Sequence, residues 1–392
     1  MKAMTERYAA KLVACGLCDH EEPLVGGLDA HTFWNRENDT RRELLEPLFE
    51  PLGINSLLLA RPAEPYRTIV DYLAAKNPKA IMPRDCETRT FLHDIPVCAN
   101  TEHLGSLLAE RKAVVVPGLG IAAKGSVSPE ECFVYFSSVC FAAFVLFFSE
   151  YLHACRHKGP DQPLQTAFDK AVSGMSASRT EAPSLTIGPF EDETALYAAM
   201  AEAGRNVVGL GLVDSFFGNI SCLHDNTVFI SQTGSSLDEL EGCIDPCPQD
   251  RSTCAGLTAS SELSAHEDVY ARTPATCILH GHPKFTVILS MDCTDKQCPN
   301  REHCHTACTK ERKAATLPIV PGEVGTGPTG LCHTLPPALE HSPGAIVHGH
   351  GLFATGSKDF NKPFATMLHA ENQCRAEYFN RVREALATLK EA

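Results

Sequence analysis

The stretch Ala275-Thr276-Cys277-Ile278-Leu279-His280-Gly281-His282 decides how this chain is read. A short, mostly apolar run ends in a glycine-spaced histidine pair, the pattern of a buried strand running into a turn. On a strand, side chains i and i+2 point to the same face, so the two imidazoles can share one metal ion. A second pair, His348-Gly349-His350, follows 68 positions after the first, and a lone acid, Glu262, stands 18 positions before it. A third imidazole from the second pair completes a His₃ set. Such a set leaves a coordination position open, as catalytic rather than structural metal sites do. One such pair alone would read as ordinary histidines beside a turn; two pairs and an acid favour a metal centre.

The residues around these motifs form a series. Gly218-Asn219-Ile220-Ser221 comes first, then the strand Thr227-Val228-Phe229-Ile230-Ser231 and the turn Thr233-Gly234. Ser260-Ser261-Glu262 with His266 follows, then His280-Gly281-His282-Pro283, then His350-Gly351 with Gly356. In that order, roughly from Phe190 to Phe379, the series resembles the class II aldolase/adducin family. The resemblance implies an α/β/α sandwich around a central, mainly antiparallel sheet. It implies that His280, His282 and His350 bind zinc or another divalent cation and that Glu262 is the catalytic acid/base. It also implies that Gly218, Asn219, Thr233, Gly234, Ser260 and Ser261 cradle a substrate phosphate, through backbone N–H groups and small hydroxyls.

The chemistry suits that assignment. Neutral imidazoles leave a cation its Lewis acidity, which stabilises an enediolate formed by carbon–carbon cleavage. A carboxylate must then move a proton. The expected activity is that of a lyase acting on a small hydroxylated carbonyl compound, a sugar phosphate by resemblance. Epimerase or decarboxylase chemistry is the alternative within the superfamily, and a non-catalytic adducin-like binding protein the alternative outside it. Glutamate at 262 favours the aldolase branch, since ribulose-phosphate 4-epimerases resembling this chain carry Asp there. Two features depart from the family. Phe216-Phe217 precede Gly218, where a Thr and a small residue are usual, and no residue matches the proton-donating tyrosine; Tyr378 lies on the last helix with nothing to place it in the site. His348 reads as an extra, solvated histidine.

Composition agrees with an enzyme. Hydrophobic residues make up 44% of 392, enough for a sizeable core, and the length allows two domains. The net charge of −14 and the absence of a basic stripe exclude a nucleic-acid or anionic-membrane surface. Met1-Lys2-Ala3-Met4-Thr5-Glu6-Arg7-Tyr8 has no long apolar run, so a cytoplasmic location is expected. There the 18 cysteines are expected as thiols or metal ligands rather than a disulfide framework. Two groups stand out: Cys293, Cys298, Cys304 and Cys308, and, before Ser260, Cys243, Cys247 and Cys254. The family has no such cysteines. They are candidates for a second zinc or an iron–sulfur cluster, although the spacings match no standard signature. Residues 132–148, CFVYFSSVCFAAFVLFF, carry no charge and are flanked by Glu130, Glu131 and Glu150 rather than basic residues. This reads as a buried helix packed on a domain or subunit, not as a membrane span.

Three segments are expected: residues 1–155, a linker over 156–189 with one short helix near Leu164–Val172, and residues 190–392. The first reads as a degenerate second copy of the family fold. Ala113–Gly125 matches Ala345–Gly356, and Lys79–Asp85 is set against Thr276–His282, so that Pro83, Asp85 and Leu119 take the places of His280, His282 and His350. Family aldolases assemble into rings, which makes a homo-oligomer the expected state.

Overall fold

A computed structural model describes residues 1–213, 216–295 and 297–391. The chain divides into two compact units, one of Met1–Ala177 with Ala385–Ala392 and the other of Ser178–Glu384. The division between Ala177 and Ser178 falls inside the span 156–189 read as a linker, whose first part is folded into the first unit. The apolar helix continues to His157, and the next, Gln162–Ser173, buries Leu164, Ala167, Phe168 and Ala171 in the same unit. Phe168 stacks on Tyr151 at 3.5 Å.

In the first unit, β1 (Leu24–Leu28), β2 (Thr32–Trp34), β3 (Ser56–Ala60), β6 (Ala113–Val116) and β7 (Gly120–Gly125) form a sheet ordered β2-β1-β3-β7-β6. β4 (Ala80–Ile81) and β5 (Ile95–Pro96) make a small antiparallel pair. The helix Pro129–His157 is the core element of this unit. It is long and apolar enough to cross a membrane, but 89% of its most apolar window is buried inside the protein. Phe133, Phe144 and Phe147 meet Tyr8, Tyr66 and Tyr72. Each such buried aromatic contributes roughly 1.5–3 kcal/mol, which is why the segment needs no lipid to be apolar.

The second unit holds β8 (Asn219–His224), β9 (Thr227–Ser231), β10 (Ile244–Pro248), β11 (Cys277–Gly281), β12 (Arg312–Ala314), β13 (Leu317–Val320), β14 (Gly344–Val347) and β15 (Leu352–Gly356). Among the described residues they form one sheet, β10-β9-β8-β11-β15-β14-β13-β12, antiparallel except at β13–β14. Helices Leu263–Arg272 and Leu331–Leu339 bury Val269, Leu331 and Leu335 with Ile278 and Phe353 on one face. On the other, Met367 of helix Asn361–Glu391 lies against Gly281. This is the sandwich expected from the sequence. Helix Glu193–Gly209 runs through Gly204 without a break. A Cβ at Gly204 would lie 2.0 Å from the Leu237 carbonyl oxygen, so glycine serves close packing there, not termination.

The two sheets share an order: β2-β1-β3-β7-β6 parallels β9-β8-β11-β15-β14. The outer pairs agree too, since Val97 bridges Val115 in parallel as Ile319 pairs with Ile346. Registers agree residue by residue. Leu59 pairs with both Leu24 and Ala122, as His280 pairs with both Asn219 and Phe353. Asn55 N donates to the Gly125 carbonyl (3.1 Å) as Thr276 N does to that of Gly356 (2.8 Å). Leu119 N donates to the Val116 carbonyl (2.9 Å) as His350 N does to that of Val347 (3.1 Å).

One expectation is corrected by this register. The counterpart of β11 is β3, not residues 79–85, so Leu59 and Arg61, rather than Pro83 and Asp85, hold the places of His280 and His282. Ala80–Ile81 lies instead in the small outer pair, and Asp85 caps the helix Cys86–Leu92 by accepting from Thr88 N (2.8 Å). The sequence match failed because Ser56–Ala60 is buried throughout and carries none of the histidine or glycine marks of β11. The match of Leu119 to His350 agrees with the register.

Candidate metal centre

β11 delivers His280 at its end and His282 just beyond it; the tight turn after β14 delivers His350. The three side chains are buried, and their ligand atoms lie within 4.8 Å of one another, the only such donor group among the described residues. His280 Nε2 is 3.0 Å from His282 Nε2 and 3.1 Å from His350 Nε2. Three nitrogens held at about 2.05 Å from one tetrahedral cation would stand about 3.3 Å apart, close to both distances from His280, while His282 and His350 lie within 4.8 Å of each other. His280 Nδ1 lies 3.1 Å from the Leu352 carbonyl oxygen, an acceptor that fixes the proton on Nδ1 and leaves the Nε2 lone pair for a metal. Burial pushes His280 down to about 4 and His282 well below the usual imidazole range, keeping both neutral, the ligand form.

Glycine makes the convergence possible. A Cβ on Gly351 would lie 2.5 Å from the Gly281 carbonyl oxygen, 2.5 Å from His282 Cδ2 and 2.8 Å from His280 Cε1. Gly218 is needed for a similar reason: its φ is +93°, and a Cβ there would meet the His280 carbonyl oxygen at 2.5 Å.

Glu262 closes the group. It is buried just ahead of helix Leu263–Arg272, with Oε1 3.2 Å from His350 Nε2 and Oε2 3.5 Å from His280 Nε2. Asn219 Nδ2 donates to Oε2 at 2.6 Å. Burial alone would raise this carboxyl, but His280 and His350 reverse the effect and hold it well below the usual carboxylate range. Glu262 is therefore held as an anion among these imidazoles.

The remaining residues marked by the sequence occupy two clusters. Gly218 and Asn219 adjoin the histidines. Thr233 N donates to the Thr258 carbonyl (3.0 Å) and its hydroxyl to that of Ala259 (2.9 Å), which sets the Thr233-Gly234 turn against Ser260 and Ser261. Thr233, Gly234 and Ser261 are exposed and Ser260 is buried, its hydroxyl accepting from Glu262 N at 3.3 Å. Phe216 lies over Gly234, within 3.1 Å of where a Cβ would stand. His348, expected in solvent, is half-buried, and burial pushes it down to about 4. Its turn is tied inward, with Gly349 N donating to Ser290 Oγ at 2.8 Å. Tyr378 is buried against Phe285, in the core.

Several contributors were given no role by the sequence. Phe353 stacks on His280 at 3.8 Å and 10°, and Phe217 on His282 at 5.6 Å and 17°. Ser221 Oγ lies 2.6 Å from both His266 Nδ1 and Tyr270 Oη, a buried polar chain beneath the centre. Glu371 reaches from the last helix to accept from Phe285 N, Thr286 N and Thr286 Oγ1, each at 2.9 Å. It thereby caps the helix Lys284–Met291 that starts directly after His282-Pro283. Only the second Phe of the Phe216-Phe217 pair could have been suspected, as a departure from the family pattern.

All 18 cysteines are free thiols. Cys243, Cys247 and Cys254 do not form the loop group expected from sequence. Cys247 lies in β10 and is buried in the core, while Cys254 is exposed.

Comparison with known proteins gives the following. No curated protein matches the chain. Among solved structures, l-fuculose-1-phosphate aldolase from Thermus thermophilus is similar at 22% identity, covering 48% of this chain and 95% of that one, with a TM-score of 0.39. A sugar-phosphate aldolase from Thermotoga maritima is similar at 15% identity, over 51% and 97%, with a TM-score of 0.33. L-fuculose 1-phosphate aldolase from Glaciozyma antarctica PI12 is similar at 13% identity, over 54% and 87%, with a TM-score of 0.34. The family model of the class II aldolase and adducin N-terminal domain matches residues 198–378, a span that contains Glu262 and all three histidines of the centre. The C-terminal half of this chain belongs to the class II aldolase/adducin family.

Proposed function

We propose that the protein is a metal-dependent lyase of the aldolase type, cleaving a small hydroxylated carbonyl compound. The observation that carries this is the convergence of His280, His282 and His350 beside the buried carboxylate of Glu262. A divalent cation, zinc in our reading, would be held by the three imidazoles and supply Lewis acidity toward neighbouring substrate oxygens. Glu262 is the base: it is anionic, buried, and oriented by Asn219, so it can take a proton from a substrate hydroxyl and return it to carbon. Phe216 and Phe217 narrow the approach between the Thr233-Gly234 turn and His282. We assign the phosphate of a sugar-phosphate substrate to that turn and to Gly218, Asn219, Ser260 and Ser261.

The test is retro-aldol cleavage of a panel of sugar phosphates and of unphosphorylated analogues, before and after chelation. Activity lost on chelation and restored by zinc supports the reading. Protein that takes up no divalent cation would overturn it. Glu262→Gln should keep the metal while turnover falls by roughly 10²-fold or more.

We infer also that the first unit is a non-catalytic copy of the same fold. The matched strand order and register support this, with Leu24, Leu59, Arg61 and Leu119 at the places of Asn219, His280, His282 and His350. We propose that the chain works in the cytoplasm as a homo-oligomer. Sedimentation of the full-length protein tests the assembly: a monomer at assay concentration would refute it.

A further inference from the structure

Residues 293–311 contain four cysteines and no Val, Ile, Leu, Met, Phe, Tyr or Trp. A segment of this composition cannot bury enough apolar surface to offset the entropy of ordering it. Yet it is shaped. Residues Arg301–His303 form a 3₁₀ turn that leads into a single helical turn, Cys304–Ala307. Asn300 Nδ2 donates to the Ala307 carbonyl at 2.7 Å, pinning the turn after Cys298 to the end of that helix. Lys310 pairs with Asp295, drawing the two ends of the segment together. Arg312 Nη2 then closes its base, donating to the carbonyls of Ser290 (2.7 Å) and Asp292 (2.9 Å).

These ties gather the four thiols. Cys304 and Cys308, four positions apart, flank the helical turn; Cys298 precedes the pinned turn; Cys293 stands at the closed base. All four are half-buried. The Cys304 thiol donates to the Asn300 carbonyl at 3.4 Å, which holds it beside the turn after Cys298.

We propose that Cys293, Cys298, Cys304 and Cys308 form a structural zinc site with four thiolate ligands. Four sulfurs leave no open position, so the site staples the segment and does no chemistry. Binding converts one Zn²⁺ and four thiols into a dianionic tetrathiolate with release of four protons; Lys310 and Arg312 offset the charge. The staple has a purpose beyond the segment. Ser290, whose carbonyl anchors Arg312, also accepts from Gly349 N through its hydroxyl, one residue before His350.

The test is zinc content of the full-length protein purified under reducing conditions. Two zinc ions per chain are expected. The double variant His280→Ala/His350→Ala should keep one, and Cys298→Ser/Cys304→Ser should keep only the other. Cobalt substitution should give intense thiolate-to-cobalt absorption that survives the histidine changes and vanishes with the cysteine changes. Should the cysteine variant fail to fold, the wild-type protein decides: organomercurial titration of its thiols should release one zinc ion as four thiols react. Histidine-variant protein free of zinc with all these thiols open to reagent would overturn the proposal. So would iron in place of zinc, or disulfides within the group in protein kept reduced. Loss of the histidine-held zinc alone would leave this site intact and count only against the proposed lyase.

Discussion

Replacing Glu371 with alanine should weaken the second unit without touching any metal ligand. Glu371 is half-buried, and its carboxylate accepts from Phe285 N, Thr286 N and Thr286 Oγ1, each at 2.9 Å. Pro283, at the N-cap of helix Lys284–Met291, provides no side-chain cap, so Glu371 acts as the cap from 86 positions away. Alanine strands two main-chain donors and a hydroxyl, at about 1–3 kcal/mol for each buried group left unpaired. Against this stands the cost of burying the carboxylate, which raises its pKa. The expected net loss is about 3 kcal/mol, with about 1–2 kcal/mol for Glu371→Gln, which keeps one acceptor oxygen. Urea denaturation gives the measurement. Trp34 is the single tryptophan and lies in the first unit, so its fluorescence reports that unit while far-ultraviolet circular dichroism reports both. The Trp34 transition should hold and the remaining dichroic transition should move to lower urea. A Glu371→Ala protein within about 0.5 kcal/mol of wild type, the scatter of ordinary surface changes, or one whose loss appears in the Trp34 transition, would refute the reasoning.

Further outcomes follow from the same contacts. Gly351→Ala should cost about 1–3 kcal/mol from overpacking and weaken zinc binding at least tenfold, read by competition with a chromogenic chelator, because its Cβ lands on His280 and His282. Phe353→Leu should lower zinc affinity more than Phe217→Leu, because Phe353 lies flat on His280 at 3.8 Å and Phe217 is 5.6 Å from His282; equal effects would show that ring stacking does not set the ligands. Burial raises Asp85 to about 6, so the folded first unit holds that proton more tightly than the unfolded chain. Its contribution is therefore full below about pH 4 and lost as pH rises through 6, a decline of about 3 kcal/mol that Asp85→Asn should abolish in the Trp34 transition.

The site was more legible than the fold around it. His280, His282 and His350 announce themselves because metal ligands come from few residue types and the glycines between them are demanded by steric contact. Glu262 was legible from its order among the motifs. Phe353 and Glu371 were not, since an aromatic or an acid on an element reads as core or surface until the facing element is known. Sandwich and antiparallel sheet followed from the family series, which pattern alone would not have supplied. The matching sheet of the first unit was only half visible: Ala113–Gly125 kept its turn glycines, whereas Ser56–Ala60, with five consecutive buried residues, lost every mark that could align it. Cys247 was misplaced because thiol spacing says nothing about whether the intervening residues form a strand.

The shared hairpin has a practical consequence. Gly120 crowds the Ala60 carbonyl, with a Cβ position 2.0 Å from its oxygen, much as Gly351 crowds that of Gly281. In our reading the backbone that brings the three histidines together occurs twice in one polypeptide, once with side chains that could grip a cation and once with Leu59, Arg61 and Leu119. The blank copy offers an experimenter a graft recipient: Leu59→His, Arg61→His and Leu119→His can be installed together on a frame whose turn is already cut to shape, and any metal gained is counted against the native centre in the same molecule.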